Sequence, residues 1–168
     1  MPRLTSANRP LSALYAANAI SFAGNVLSNL AIPWFVLSTT GSAGRTGLTA
    51  AFSFIPAILA GIFGGTLVDR LGYKRGSVIS DLASGASVAA IAVLHTTGLL
   101  TFPLLLALVF LGALLDAPGN TARSALIPDL AKIAGHSIES ASATLQAIER
   151  GTRLLAAPLA GLLIASLG

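Results

Sequence analysis

The chain contains no cysteine. That excludes a disulfide framework and a thiolate metal site, and it leaves the redox compartment unread. Charge is also scarce: Asp, Glu, Lys and Arg make up 10% of 168 residues, against about 25% in an ordinary soluble domain. No glycine loop ending in Lys-Ser/Thr is present, which argues against ATP as the driver. What fills the chain is apolar. Hydrophobic residues account for 54% and the mean hydropathy is +0.82. The 17 glycines and 8 prolines form no low-complexity tract. Glycine inside apolar runs suits packed transmembrane helices, where small residues let backbones approach. The net charge of +4 is no nucleic-acid signal, because the bases sit in short loops and at helix ends.

About 20 apolar residues cross a bilayer as a helix. Five segments meet that length: Leu11 to Leu37, Thr46 to Val68, Val78 to Leu94, Leu100 to Gly119, and Ala143 to Leu167. The fifth carries charges in its first half. The fold class expected is an all-α, polytopic membrane helix bundle. Connections at 39–45, 69–77 and 95–99 are short. Residues 120–142 form a longer one, and Pro128 and Gly135 suggest a broken or interfacial path there. Arg3, Arg9, Arg70, Lys74, Arg75 and Lys132 fall on one side of these spans and Arg45 on the other. Under the positive-inside rule the N-terminus and the loops 69–77 and 120–142 are cytoplasmic. The first apolar stretch is too long for a cleaved signal peptide and holds three asparagines. His95 and His136 lie near opposite membrane faces and cannot share a metal, and no other metal or enzyme constellation is visible.

Residues 65–75 form a polar turn, Gly-Thr-Leu-Val-Asp-Arg-Leu-Gly-Tyr-Lys-Arg, between two membrane-length runs. Gly61 and Gly65, four apart, make a small-residue seam. Gly72 suits a reversal or a left-handed cap. Asp69 at the water boundary has two uses: pairing with Arg70, Lys74 or Arg75, or capping a neighbouring helix. Contacts of that kind stabilise one conformation of a moving protein. The plainer alternative for Lys74 and Arg75 is a solvated loop that only enforces topology.

Polar residues inside spans normally face a bundle interior or an aqueous cavity. Asn18, Ser21, Asn25, Ser28 and Asn29 repeat at three- and four-residue steps, on one helical face. They read either as a cavity wall or as interhelical glue, with Asn25 the best cavity candidate. Asp116, Asn120 and Arg123 follow the same spacing at the end of the fourth span. Asp116 is a proton carrier if desolvation raises its pKa, or an ion-pair partner of Arg123 or Arg150. Asp81 reads as structural, near the N-terminus of the third helix. Glu149 and Arg153 are spaced for a helical pair, which leaves Arg150 for an anionic substrate or for Asp116. Pro158 frees a backbone carbonyl and invites a kink.

The loop resembles the signature between the second and third helices of major facilitator superfamily transporters. Gly65, Leu67, Asp69, Arg70, Gly72 and Lys74 match that pattern. Tyr73 departs at a basic position, and Arg75 supplies a second base. The stretch from Asp116 to Leu130 is similar to the Pro- and Ala-rich end of the fourth helix in facilitator exporters. Pro158 and Gly161 match part of the antiporter signature, with Ala157 and Arg153 where glycines are expected. The resemblance implies the N-terminal portion of a transporter: about five helices of a six-helix half built from inverted repeats. It implies proton-coupled efflux of a small molecule by alternating access, with no cofactor beyond the proton gradient. Partners would be the bilayer, the substrate and the missing C-terminal helices. Localisation would be the plasma membrane. The odd helix count reads as a fragment or a truncation. Alternatives are a structural or assembly membrane protein, a non-functional transporter fragment and, far behind, an intramembrane enzyme.

Overall fold

Proline, glycine and the polar turn residues set where the helices stop. The computed structural model describes residues 8–167, and the side chains of residues 57, 60–71 and 167 fall outside the described set, as does Arg3. Five helices follow in order: α1 Arg9–Thr40, α2 Ala43–Leu71, α3 Tyr73–Thr96, α4 Phe102–Ala134 and α5 Ile138–Leu167. No strand occurs among the described residues. Among the described residues, three helices, α1, α3 and α4, are long and apolar enough to cross a membrane.

Glycine terminates these helices because it alone enters positive φ without a Cβ penalty. Gly41, Gly72, Gly98 and Gly135 all have positive φ, and among the described residues no other residue type does. After α4 the amide of His136 donates to the Ala131 carbonyl at 2.9 Å, closing the end in the manner of a Schellman cap. Lys132 in that last turn suits the negative end of the helix dipole.

Two connections are shorter than the sequence suggests. The turn expected at 69–77 contracts to a single residue, Gly72, with helix on both sides. Its φ of 78° and ψ of 145° reverse the chain alone. The path expected at 120–142 is helical as far as Ala134. Pro128 does not break it, since one missing N–H is tolerated where the surrounding helix is intact. Asp81 is also displaced from its expected role. It lies eight residues into α3, beyond the first turn where the dipole acts.

The chain divides into two units. One comprises residues 1–30 with 123–168, the other 31–122. The core of the first contains Leu11, Leu14, Ile127, Ala131, Ala141 and Leu145. These come from α1, α4 and α5 at three- or four-residue steps, so each helix offers one stripe. The Tyr15 hydroxyl donates to the Ala141 carbonyl at 3.0 Å and ties α1 to α5. The core of the second unit is Val36, Ile91, Leu105 and Val109, flanked by Phe35 and Phe52. There Phe35 meets His95 edge to face, and Arg45 lies over the Phe102 ring. Gly112 allows α4 close to α3: a Cβ at that position would stand 3.4 Å from the Ser87 Cβ.

Candidate functional site

The densest polar chemistry lies inside the first unit. Asn18 and Ser21 are one turn apart on α1, and Arg123 stands on α4. Arg123 is 1% exposed and Asn18 2% exposed. The Arg123 Nε donates to the Asn18 Oδ1 at 3.1 Å, and its Nη2 donates to the Ser21 Oγ at 3.2 Å. A buried guanidinium is tolerable only with its donors satisfied. The neutral oxygens of Asn18 and Ser21 meet part of that need from a helix distant in sequence. The Asn18 Nδ2 is buried with no hydrogen-bond partner. The stripe of Asn18 and Ser21 thus serves, at these two positions, as interhelical glue. Asn25 is half-buried and polar-partnered, and Asn29 is exposed.

A second constellation of the same unit lies on α5. Arg153 stands halfway along that 30-residue helix. Its guanidinium carbon lies 5.6 Å from the centroid of the Phe22 ring on α1. The pair expected between Glu149 and Arg153 does not form among the described residues: the ring occupies the arginine instead. A cation over a ring contributes roughly 0.5–2 kcal/mol. One turn earlier, Arg150 joins Glu139, Ser142 and Gln146 along a groove of about 540 Å³ on the α5 surface. Pro158 lies inside α5 without ending it, and both it and Gly161 are exposed. Ala156 and Ala160, two residues to either side of Pro158, are buried.

In the second unit the Asn120 Nδ2 donates to the Asp116 Oδ2 at 2.8 Å. The i, i+4 spacing seen in the sequence thus produces a helix-surface bond. The turn is only partly visible. Gly65, Asp69 and Arg70 lie on the helical backbone of α2, and their side chains are outside the described residues. Gly72 is the N-cap position of α3, with no side-chain capping bond. Lys74 and Arg75 are exposed in the first turn of α3, and no acid accompanies them there. Bases in a first turn oppose the helix dipole, so their position is not one that helix stability would select.

Sequence reasoning missed Phe22. Aromatic residues in apolar runs carry no mark of the cation they will meet, and Arg153 lies on a helix distant in sequence. The Arg123–Asn18 bond was equally hidden, although the face bearing Asn18 and Ser21 was visible as a period.

Comparison with known proteins completes the picture. The chain is 35% identical over 162 residues to the multidrug efflux pump Tap of Mycolicibacterium fortuitum, covering 95% of this chain and 40% of that protein. The Tap pump of Mycobacterium tuberculosis is 31% identical over 169 residues, with 98% and 40% covered. The staphyloferrin A transporter of Staphylococcus aureus is 25% identical over 119 residues, or 69% of this chain and 30% of that protein. The chain thus spans about 40% of the length of the Tap relatives. No solved structure matches it. Five helices, apolar interiors holding a few partnered charges, and a Gly-bounded polar turn between α2 and α3 agree with the family model that matches residues 14–168, and this membrane protein belongs to the Major Facilitator Superfamily.

Proposed function

We propose that the chain is the N-terminal portion of a secondary transporter that exports a small molecule across the cell membrane. The observation that carries this is the buried Arg123, held by Asn18 and Ser21 between otherwise apolar helices. Ionisable residues inside membrane segments are costly and mark transport pathways. The names of the Tap relatives, both multidrug efflux pumps, point the same way. Transport proceeds by alternating access and is driven by the proton gradient, with Asp116 the proton carrier. The cavity is lined by Asn25, Asn29, Glu149, Arg150 and Arg153, and behind it the buried Asn18 and Arg123 hold α1 to α4. The turn with Gly65, Asp69, Arg70, Gly72, Lys74 and Arg75 latches one conformation against the remainder of the transporter. Pro158 and Gly161 bend or loosen α5 during the cycle. The N-terminus lies in the cytoplasm, as the excess of Lys and Arg on that side supports.

The test is accumulation of ethidium in cells expressing the full-length protein, with and without a protonophore. Expression should lower the steady-state dye level, the protonophore should abolish the difference, and Asp116→Asn should reduce efflux at least tenfold. Dye levels equal to those of the empty vector would remove the export reading. Undiminished efflux by Asp116→Asn would remove Asp116 as the proton carrier.

A further inference from the structure

We propose that Arg153 and Phe22 form a subsite for a small organic anion, bound through its carboxylate or phosphate group. The inference rests on the transporter reading, which puts α5 across the bilayer, and deepens it by naming the substrate chemistry. The geometry is specific. The Arg153 guanidinium carbon lies over the Phe22 ring, 5.6 Å from its centroid, and a ring accepts no N–H···O bond, so the hydrogen-bond donors are not spent on it. An arginine fork held in one plane matches the two oxygens of a carboxylate or phosphate. No carboxylate spends those donors: among the described residues Arg153 makes no ion pair, Glu149 included, although Glu149 is one turn away at a pairing distance in sequence.

The surroundings favour the same sign. Arg150 is exposed one turn before Arg153 and lines the groove on α5 with Gln146 and Ser142. Glu149 and Glu139 are the acids of this helix. Glu149 is half-buried, and Glu139 is at the far end of the groove, in the first turn. The exposed cations therefore stand at mid-helix and the exposed acid at the terminus. Arg153 sits halfway along α5 and Phe22 near the middle of α1, the depth at which a substrate reaches a midplane cavity.

The test uses the full-length protein in phosphatidylcholine nanodiscs, with 5-carboxyfluorescein as the anionic probe and ethidium as the cationic one. Binding is read by fluorescence anisotropy, with empty nanodiscs subtracted. Carboxyfluorescein should bind saturably. Arg153→Gln should weaken it at least tenfold, Arg153→Lys about threefold to tenfold because charge stays while the fork is lost, and Phe22→Leu a few-fold. Ethidium affinity should fall less than carboxyfluorescein affinity in each of the three. Arg153→Lys keeps the inference testable if the glutamine variant fails to fold. Absence of saturable carboxyfluorescein binding, equal affinity in wild type and both Arg153 variants, or an equal loss for both dyes would each overturn it. Ethidium export from cells reports on the transporter reading separately. An anion subsite that depends on Arg153 in a protein that exports nothing would refute that reading and leave this one standing.

Discussion

Removing Asn18 and Arg123 singly and together isolates the interaction at the centre of the first unit. Asn18→Leu keeps the volume and removes the acceptor of the Arg123 Nε. A hydrogen bond to a charged group is worth about 1.5–3 kcal/mol, and both residues are almost wholly buried, so solvent does not take over the bond. The Ser21 Oγ still accepts from Nη2, which holds the loss near 2–3 kcal/mol. Arg123→Met removes the cation and its desolvation cost. It leaves the Asn18 amide with an orphaned oxygen beside an already unpartnered Nδ2, at about 1–3 kcal/mol. The double variant has neither a stranded cation nor an orphaned amide, and apolar replacement of buried ionic groups is often neutral. The coupling energy should therefore be about 1.5–3 kcal/mol. Thermal unfolding in detergent, followed by helical circular dichroism, reads this out. At roughly 2–4 °C per kcal/mol, each single variant should lose several degrees and the double variant less than their sum. Additivity of the two losses to within about 0.5 kcal/mol would refute the coupling.

Gly72→Ala should destabilise by about 1–3 kcal/mol, because φ 78° with ψ 145° is a region essentially closed to other residues. A Cβ there meets nothing within 4 Å, so the cost is conformational and should persist in Gly72→Ser; an unchanged Tm in both would contradict it. On α5 the effect of size should run opposite to that in a soluble helix. Ala160→Leu, at 2% exposure, should cost about 1–3 kcal/mol by overpacking, while Leu154→Ala, at 75% exposure, should stay within about 0.5 kcal/mol. Comparable losses in reconstituted bilayers would mean that leucine packing, not alanine packing, holds this helix.

The helices were legible because the apolar runs are long and glycine punctuates them. Gly72 could be singled out from its need for positive φ, and Asn18 with Ser21 from their shared face. Helix ends were less legible. Pro128 and Gly135 read as breakers, since proline lacks an N–H and glycine favours turns, yet α4 runs through Pro128 and stops only before Gly135. Long-range partners were not legible at all. Spacing within a helix reports a face but never which other helix meets it. The spacing of Arg123 pointed to Asp116 on its own helix, but it carried no sign of the bonds to Asn18 and Ser21, which join positions more than 100 residues apart. Glu149 and Arg153 had the spacing of a pair, but a few tenths of a kcal/mol is easily outweighed by a nearby ring.

The packing of α5 explains why apolar periodicity finds the membrane but not the core. Ala156 and Ala160 are buried one turn apart, while Leu154, Leu155, Leu159, Leu162 and Leu163 are exposed. In water that arrangement would leave a broad apolar patch uncovered. In lipid, tails are as apolar as leucine, so burying leucine gains little and the close approach allowed by alanine decides the interface. Hydroxyls obey the same constraint. Thr39, Thr40, Thr49, Ser53 and Ser87 each donate to a carbonyl four residues earlier in their own helix, because a dry medium supplies no other acceptor. Along the second half of α5, small residues and not large apolar ones therefore mark the inward face. Arg153, on that same stretch, donates to no group among the described residues and meets only the Phe22 ring, so its place is not set by hydrogen bonding within the fold.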